Sequence, residues 1–348
     1  MPNRITPRAL AVTATLTLLA ASTSTSVAQN AIQPTAAPQA KAAMDTLGAA
    51  TGRPDSTSGS FTGTLDLTAI GQPGGTVPFS GNDRSEMILG GTGRITVVTS
   101  MGQTTINYLG YRTDTKQYYT ISMDAENSAL AYAAGTLTGP KTLTLTDPIT
   151  QVNSVTEFTD TGATATVRVP PNNAVMMTIN STASDTPGGA VLEELLSAPM
   201  IPAANVRVAS KELLALRKLA GDFTDSKGHQ VHSRIVGNGT YLLTRFTEND
   251  TLVFLTYNEG AGLFQQFMVQ KDRPGPLYLQ GPMSADGSIT LADPFAPVDR
   301  RPALMISFTK DDTVTVVSSL GSRVNNTITW TPKPATPEQP GKPAKPAK

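Results

Sequence analysis

"GTGRITVV" at Gly91–Val98, "TTINYLGY" at Thr104–Tyr111 and "GTLTGPKTLTLTDPI" at Gly135–Ile149 open, cross and close a stretch that occurs twice. A shift of 146 residues carries Gly91–Ile149 onto Gly237–Phe295, where the same places read "GNGTYLLT", "TLVFLTY" and "GPMSADGSITLADPF". Without a gap, 11 of 59 positions are identical, about 19%. Ordinary residue usage predicts roughly 6–7% by chance. The retained residues include Tyr111, Tyr132, Gly135, Leu145, Asp147 and Pro148. A two-ended match of this kind predicts one structural unit used twice.

The 348 residues suit two such units, each long enough to bury its own core. There is no cysteine, which excludes disulfides, thiolate metal sites, a cysteine nucleophile and lipid attachment through cysteine. Formal charge is zero over the whole chain, but the basic residues gather at its two ends. The part between them carries 21 basic against 26 acidic residues and has no basic face for nucleic acid.

Residues 1–28 have the order of a secretory signal: Arg4 and Arg8, then the apolar run Ala9–Ala20, then Ser26-Val27-Ala28. Cleavage is expected before Gln29, and the mature chain is expected to be extracytoplasmic with no membrane span. Residues 29–40 read as a linker, and Lys41–Ala50 as a short helix. From residue 41 to 184 strand follows strand, punctuated by Gly, Asn and Asp. The breakers Pro187, Gly188, Gly189, Pro199 and Pro202 place an inter-domain linker at 185–208, with a short helix around Val191–Leu196. Ser210 is positioned to cap a helix whose Leu213, Leu216 and Leu219 form one apolar stripe. A second strand series fills 209–330, and the Pro/Lys-rich end 331–348 reads as a disordered tail.

Period-two alternation sorts the side chains by face. Ile95/Val97, Ile106/Tyr108, Ile121/Met123 and Leu143/Leu145 alternate in the first copy. Tyr241/Leu243, Leu252/Phe254, Phe267/Val269 and Ile289/Leu291 take their places in the second. All stay apolar or aromatic, and they are read as facing inward. Thr96, Asn107, Thr120, Ser122, Thr142 and Thr144 lie opposite and are read as the wet face, with Thr244 opposite Tyr241 in the second copy. One buried and one wet face predicts antiparallel sheet, and so many consecutive strands predict closure into barrels. The expected fold is all-β: two tandem antiparallel barrels, each preceded by a short helix.

The "GGTGRITVV" strand start, the "LGYRTDTKQYYTISMD" hairpin and the closing "AAGTLTGPKTLTLTD" resemble domain-of-unknown-function family 1579, grouped with the lipocalin-like calycins. The likeness covers about Lys41–Thr182 and, more distantly, Ser210–Lys333. The second copy has "LTYNEGAGLFQQFMV" where the family has Gly-Tyr-Asp, and Arg112 stands in place of that Asp in the first. The resemblance implies a lipocalin-like barrel and no activity.

Residues for chemistry are few. His229 and His232 are three apart on a strand and so point to opposite sides, which argues against a shared metal. P-loop, Gly-x-Ser-x-Gly and His-Glu-x-x-His patterns are missing. Asp147-Pro148 and Asp293-Pro294 fit strand-ending turns better than a carboxylate pair. The leading reading is a non-catalytic exported protein with no cofactor and a small apolar ligand as partner. The residues expected to line its barrels are Tyr108, Ile121, Met123, Tyr241, Phe254 and Phe267. Two alternatives remain: an enzyme with a loop-borne site, and an integral outer-membrane barrel, against which few aromatics and two barrel-sized repeats stand.

Overall fold

The computed structural model describes residues 36–52, 56–124, 129–184, 186–198, 210–309 and 311–333. The expected signal, its cleavage point and nearly all of the expected tail lie outside the described residues.

The chain forms two closed antiparallel barrels of ten strands each. The first contains β1 (Ser56–Asp66), β2 (Thr76–Ile88), β3 (Gly93–Ser100), β4 (Gln103–Arg112), β5 (Gln117–Asp124), β6 (Leu130–Leu137), β7 (Thr142–Thr146), β8 (Asn153–Phe158), β9 (Gly162–Val169) and β10 (Ala174–Ser184). The second contains β11 (Gly221–Asp225), β12 (Gln230–Val236), β13 (Tyr241–Phe246), β14 (Thr251–Asn258), β15 (Leu263–Gln270), β16 (Leu277–Gly281), β17 (Ile289–Ala292), β18 (Pro302–Phe308), β19 (Val314–Leu320) and β20 (Arg323–Pro332). Each strand pairs with its chain neighbour, and first pairs with last, so neither sheet has an edge.

A helix leads into each barrel. α1 (Ala36–Thr51) begins five residues before the expected start and so takes up the end of the expected linker. Its Pro38 sits in the first turn, where the missing N–H costs nothing. Met44 and Leu47 pack on Tyr118, Leu143 and Leu145 inside the first barrel, and the Tyr118 hydroxyl donates to the Ala43 carbonyl at 2.8 Å. α3 (Lys211–Lys218) does the same for the second barrel through Leu213, Leu216 and the following Leu219. Its Ser210 cap accepts from the Leu213 N–H at 3.2 Å.

The repeat is real but not gap-free. Ile88 through Thr92 and Val236 through Thr240 make the same tight turn: Thr92 and Thr240 each donate N–H and hydroxyl to the carbonyl three residues back. That turn relates the copies by 148 residues, whereas β5 and β15 are related by 146. The difference arises in the intervening hairpin. Ile95 pairs with Tyr108 and Leu243 with Phe254, and the second loop is two residues shorter between partners. A slip of two keeps every side chain on its face, so the alternation survived the misalignment.

What the alternation does not say is which side of the sheet is the lumen, and here the expectation is reversed. Tyr108, Ile121, Met123, Tyr241, Phe254 and Phe267 do not line the barrels. They lie on outer surfaces, in one core shared by both barrels together with Ile95, Ile106, Leu243, Leu252 and Val269. Tyr108 meets Phe254 at 5.7 Å between ring centroids, and Tyr132 stacks on Phe267 at 5.5 Å. The physical reason is that period two marks a buried face without naming what buries it; here the other barrel does. Only the last two pairs of the inward set, Leu143/Leu145 and Ile289/Leu291, face a lumen. Correspondingly, Thr96, Asn107, Thr120 and Ser122, expected on the wet outside, point into the first barrel.

The shared core joins equivalent strands. Tyr108 touches Phe254, its own counterpart in the repeat, as a residue beside a two-fold axis does in a symmetric dimer. The barrels therefore associate like a dimer fused into one chain. Polar bonds frame the contact: the Tyr241 hydroxyl donates to the Ala129 carbonyl at 3.0 Å, the Leu130 N–H to Gln265 Oε1 at 3.3 Å, and the Thr113 N–H to the Pro274 carbonyl at 2.7 Å. α2 (Val191–Ser197), expected as part of a linker, wedges Val191, Leu192 and Leu196 into this core. Its Glu194 bonds Arg84 of the first barrel at 2.7 Å, and its Glu193 bonds Arg245 of the second.

Candidate ligand site

With the outer faces assigned, the inner ones follow by pairing. Leu242, Thr244 and Phe246 of β13 point into the second barrel, as do Val253 and Leu255 of β14, and Gln266 and Met268 of β15. Leu304, Ile306, Val316, Ile328 and Trp330 close the far wall, and Leu219 reaches in from the end of α3. They surround a cavity of about 180 Å³. The lining holds no Asp, Glu, His, Lys, Arg, Tyr or Cys.

Four of the lining side chains carry polar atoms that could engage a ligand, and they divide into two pairs. Thr244, 2% exposed, is bonded through Oγ1 to Ser233 Oγ at 2.7 Å, and Ser318 Oγ donates to the Asn326 carbonyl at 3.4 Å. Their hydrogen bonds are made within the wall. Gln266 is 3% exposed and lines the lumen. The Trp330 Nε1–H is buried and has no acceptor among the described residues, its ring held by Phe223 at 6.0 Å and Phe246 at 5.5 Å. Thr244 is thus a buried lumen residue rather than an exposed one. Sequence reasoning missed Gln266 and Trp330 because a single Gln in "LFQQFMV" and a Trp near a strand end look like ordinary strand residues.

The first lumen is built differently. Arg94, Thr96, Asn107, Thr120, Ser122 and Thr156 face it, all only half-buried. Thr57 Oγ1 and Ser85 Oγ bond at 2.9 Å, and Arg94 donates to Ser85 at 3.1 Å.

The other residues examined for chemistry stay apart. His229 Nδ1 lies 3.0 Å from Asp225 and 2.5 Å from Glu248, while His232 Nδ1 is 3.0 Å from Asp222. Asp222 also takes Arg234 at 2.9 Å, and that guanidinium first, with His232 after it, holds its carboxyl below the ordinary value. Among the described residues no group of three or more His, Asp or Glu could hold a metal. Asp147 Oδ1 accepts the Ile149 N–H at 2.7 Å and Asp293 Oδ1 the Phe295 N–H at 2.8 Å, so both Asp-Pro pairs are turns. Tyr111 packs on Tyr118, and Tyr257 on Phe264, each at 5.1 Å.

No protein-family model matches this chain, and no curated protein matches it either. Among solved structures, a protein of unknown function of the DUF3598 family from Nostoc punctiforme is 10% identical, with 79% of this chain and 94% of that chain covered and a TM-score of 0.20. Transferrin binding protein B from Haemophilus parasuis is 7% identical over 79% of this chain and 74% of that one, with a TM-score of 0.17. The same protein from Neisseria meningitidis is 7% identical over 79% and 75%, also at 0.17. Likeness at this level carries no argument about function.

Proposed function

We propose that the protein is an exported, non-catalytic binding protein whose second barrel holds one small apolar ligand in its lumen, in the manner of lipocalin-like barrels. The observation that carries this is the cavity of about 180 Å³ walled almost wholly by aliphatic and aromatic side chains. An apolar cavity of that order is dry when empty and gains by taking up an apolar guest. Catalysis in the same space has little support: acid–base or nucleophilic chemistry needs a titratable group beside the reacting atoms, and the wall has none. Export is supported by the ordered signal features in residues 1–28. On the outward side of β9 and β10, Thr164, Thr166, Thr178 and Asn180 are polar, unlike the apolar belt of a membrane barrel.

The test is native mass spectrometry of the full chain, followed by denaturation. A bound small molecule, released on unfolding and excluded by Ile306→Trp, is the expected result. A ligand that survives Ile306→Trp, or a protein that takes up no apolar molecule from a chemically diverse set, would overturn the assignment.

A further inference from the structure

We infer that the second barrel docks onto an anionic lipid surface through the turn 293–301, between β17 and β18, and the neighbouring turn that leads into β20. The inference goes beyond the lumen ligand and does not depend on it.

The turn 293–301 lies at the end of the barrel away from α3. β18 finishes at Phe308, where Lys218 of α3 stands 5.4 Å from the ring centroid, and it begins at Pro302, directly after the turn. On the turn Phe295 is 56% exposed and Val298 73%, the most exposed large apolar side chain among the described residues. Val324, also exposed, follows Arg323 at the start of β20. The two turns are joined: the Gly321 N–H donates to the Arg301 carbonyl at 2.9 Å.

A braced backbone holds these side chains outward. Asp293 Oδ1 accepts the Phe295 N–H at 2.8 Å, the Arg300 N–H donates to the Pro297 carbonyl at 3.0 Å, and Arg301 Nε donates to the Ala296 carbonyl at 3.2 Å. Pro294 and Pro297 fix two further φ angles. Single exposed apolar residues need no explanation, but a group of them on joined turns marks an interaction site.

Charge selects the occupant. Arg300 and Arg323 are exposed and Arg301 is half-buried. Against them stands one exposed carboxylate, Asp299, 3.7 Å from Arg300. The other acid of the turn, Asp293, is half-buried and engaged with the Phe295 N–H. Apolar tips among arginines match the boundary of an anionic bilayer, where the tips enter the acyl region and the guanidinium groups stay with the headgroups. Size argues against a protein partner, because a standard interface takes about 20–30 residues a side and two short turns supply far fewer. The counterpart turn of the first barrel, 147–152, exposes Ile149 but holds no Lys or Arg.

The experiment floats the mature chain, from Gln29 onward, with vesicles of phosphatidylcholine alone and of phosphatidylcholine mixed with phosphatidylglycerol. Binding is expected to the mixed vesicles, to weaken with added salt, and to be much weaker on phosphatidylcholine. Phe295→Ser should reduce it at least about tenfold. Arg300→Ala and Arg323→Ala should each reduce it about fivefold. Asp299→Asn should strengthen it, a change of sign that a merely structural role would not give. Ile149→Ser should leave it unchanged. All five positions are exposed, and a thermal melt checks that each variant is folded. No flotation with either vesicle would overturn the proposal. So would flotation that survives Phe295→Ser, or that is lost equally in Ile149→Ser. Equal binding to both vesicles would overturn the role of the arginines. Self-association without vesicles that Phe295→Ser abolishes would mean that a second copy of the chain, not lipid, covers the turns.

Discussion

The two barrels share a strand plan and differ in what fills them. Where the first lumen has Arg94, Asn107, Ser122 and Ala133, the second has Leu242, Val253, Met268 and Leu279. On their outer faces four buried positions changed identity without changing character: Ile95 corresponds to Leu243, Ile106 to Leu252, Tyr108 to Phe254 and Ile121 to Phe267. The constraint that held both copies to an apolar pattern was thus the contact between them, not the inside of either. The lumens differ, one lined largely by polar residues and the other enclosing an apolar cavity. The glycines tell the same story of shared backbone. At Gly135 an added Cβ would lie 1.8 Å from the Thr144 carbonyl oxygen, and at its counterpart Gly281 1.9 Å from that of Thr290. The strands approach so closely at this point in both barrels that only glycine fits.

The largest expected effect lies on the shared face. Phe254→Ala and Phe267→Ala should each cost about 3–5 kcal/mol, as truncations in a packed core do. Chemical denaturation of the two variants checks this. A cost of under about 1 kcal/mol at both would mean that these faces are not packed against the other barrel.

The lumens should then differ from each other. Thr244→Ala leaves the buried Ser233 hydroxyl without its 2.7 Å partner and should cost about 1–3 kcal/mol. Its counterpart Thr96 faces a half-wet lumen opposite Ser85, which bonds Thr57 instead. Thr96→Ala should fall within about 0.5 kcal/mol of wild type. Equal losses at the two positions, measured by denaturation, would erase the distinction between the lumens.

A smaller effect is expected with pH. Burial pushes the hydroxyls of Tyr108, Tyr119 and Tyr132 above their ordinary value, so in the folded protein they stay protonated. The sign follows from linkage. A raised folded value contributes stability that is complete below the unfolded value, about 10, and is lost as pH climbs beyond it. Thermal melts should therefore be insensitive to these groups near neutrality and fall as pH passes 10. The fall should be weaker in Tyr108→Phe, which has one fewer phenol to ionise on unfolding.

Much of this architecture was legible in the sequence. The repeat gave the two units, alternation gave the paired faces, and Ser210 with its leucines gave the second helix. β2 is hard to read from sequence because Pro78, Gly81, Asn82 and Asp83 are residue types that favour turns, although in the barrel Gly81 makes room for the ring of Phe61, 2.4 Å from where a Cβ would sit. The lumen was misassigned because a covered outer face and a filled inner face carry the same pattern. No period or motif distinguishes Gln266 from any other strand residue; its meaning comes from the apolar wall around it.

The central claim is that the two retained faces are buried against each other, and a double-mutant cycle on Tyr108 and Phe254 tests it most directly. These residues are 146 apart in sequence and belong to different barrels, yet their rings stand 5.7 Å apart. Unfolding free energies of Tyr108→Ala, Phe254→Ala and the pair should show a coupling of about 0.5–1.5 kcal/mol, the usual worth of an aromatic contact beyond its area. Strict additivity, with each single variant costing little, would contradict the account, because it would mean that the two barrels do not share a core.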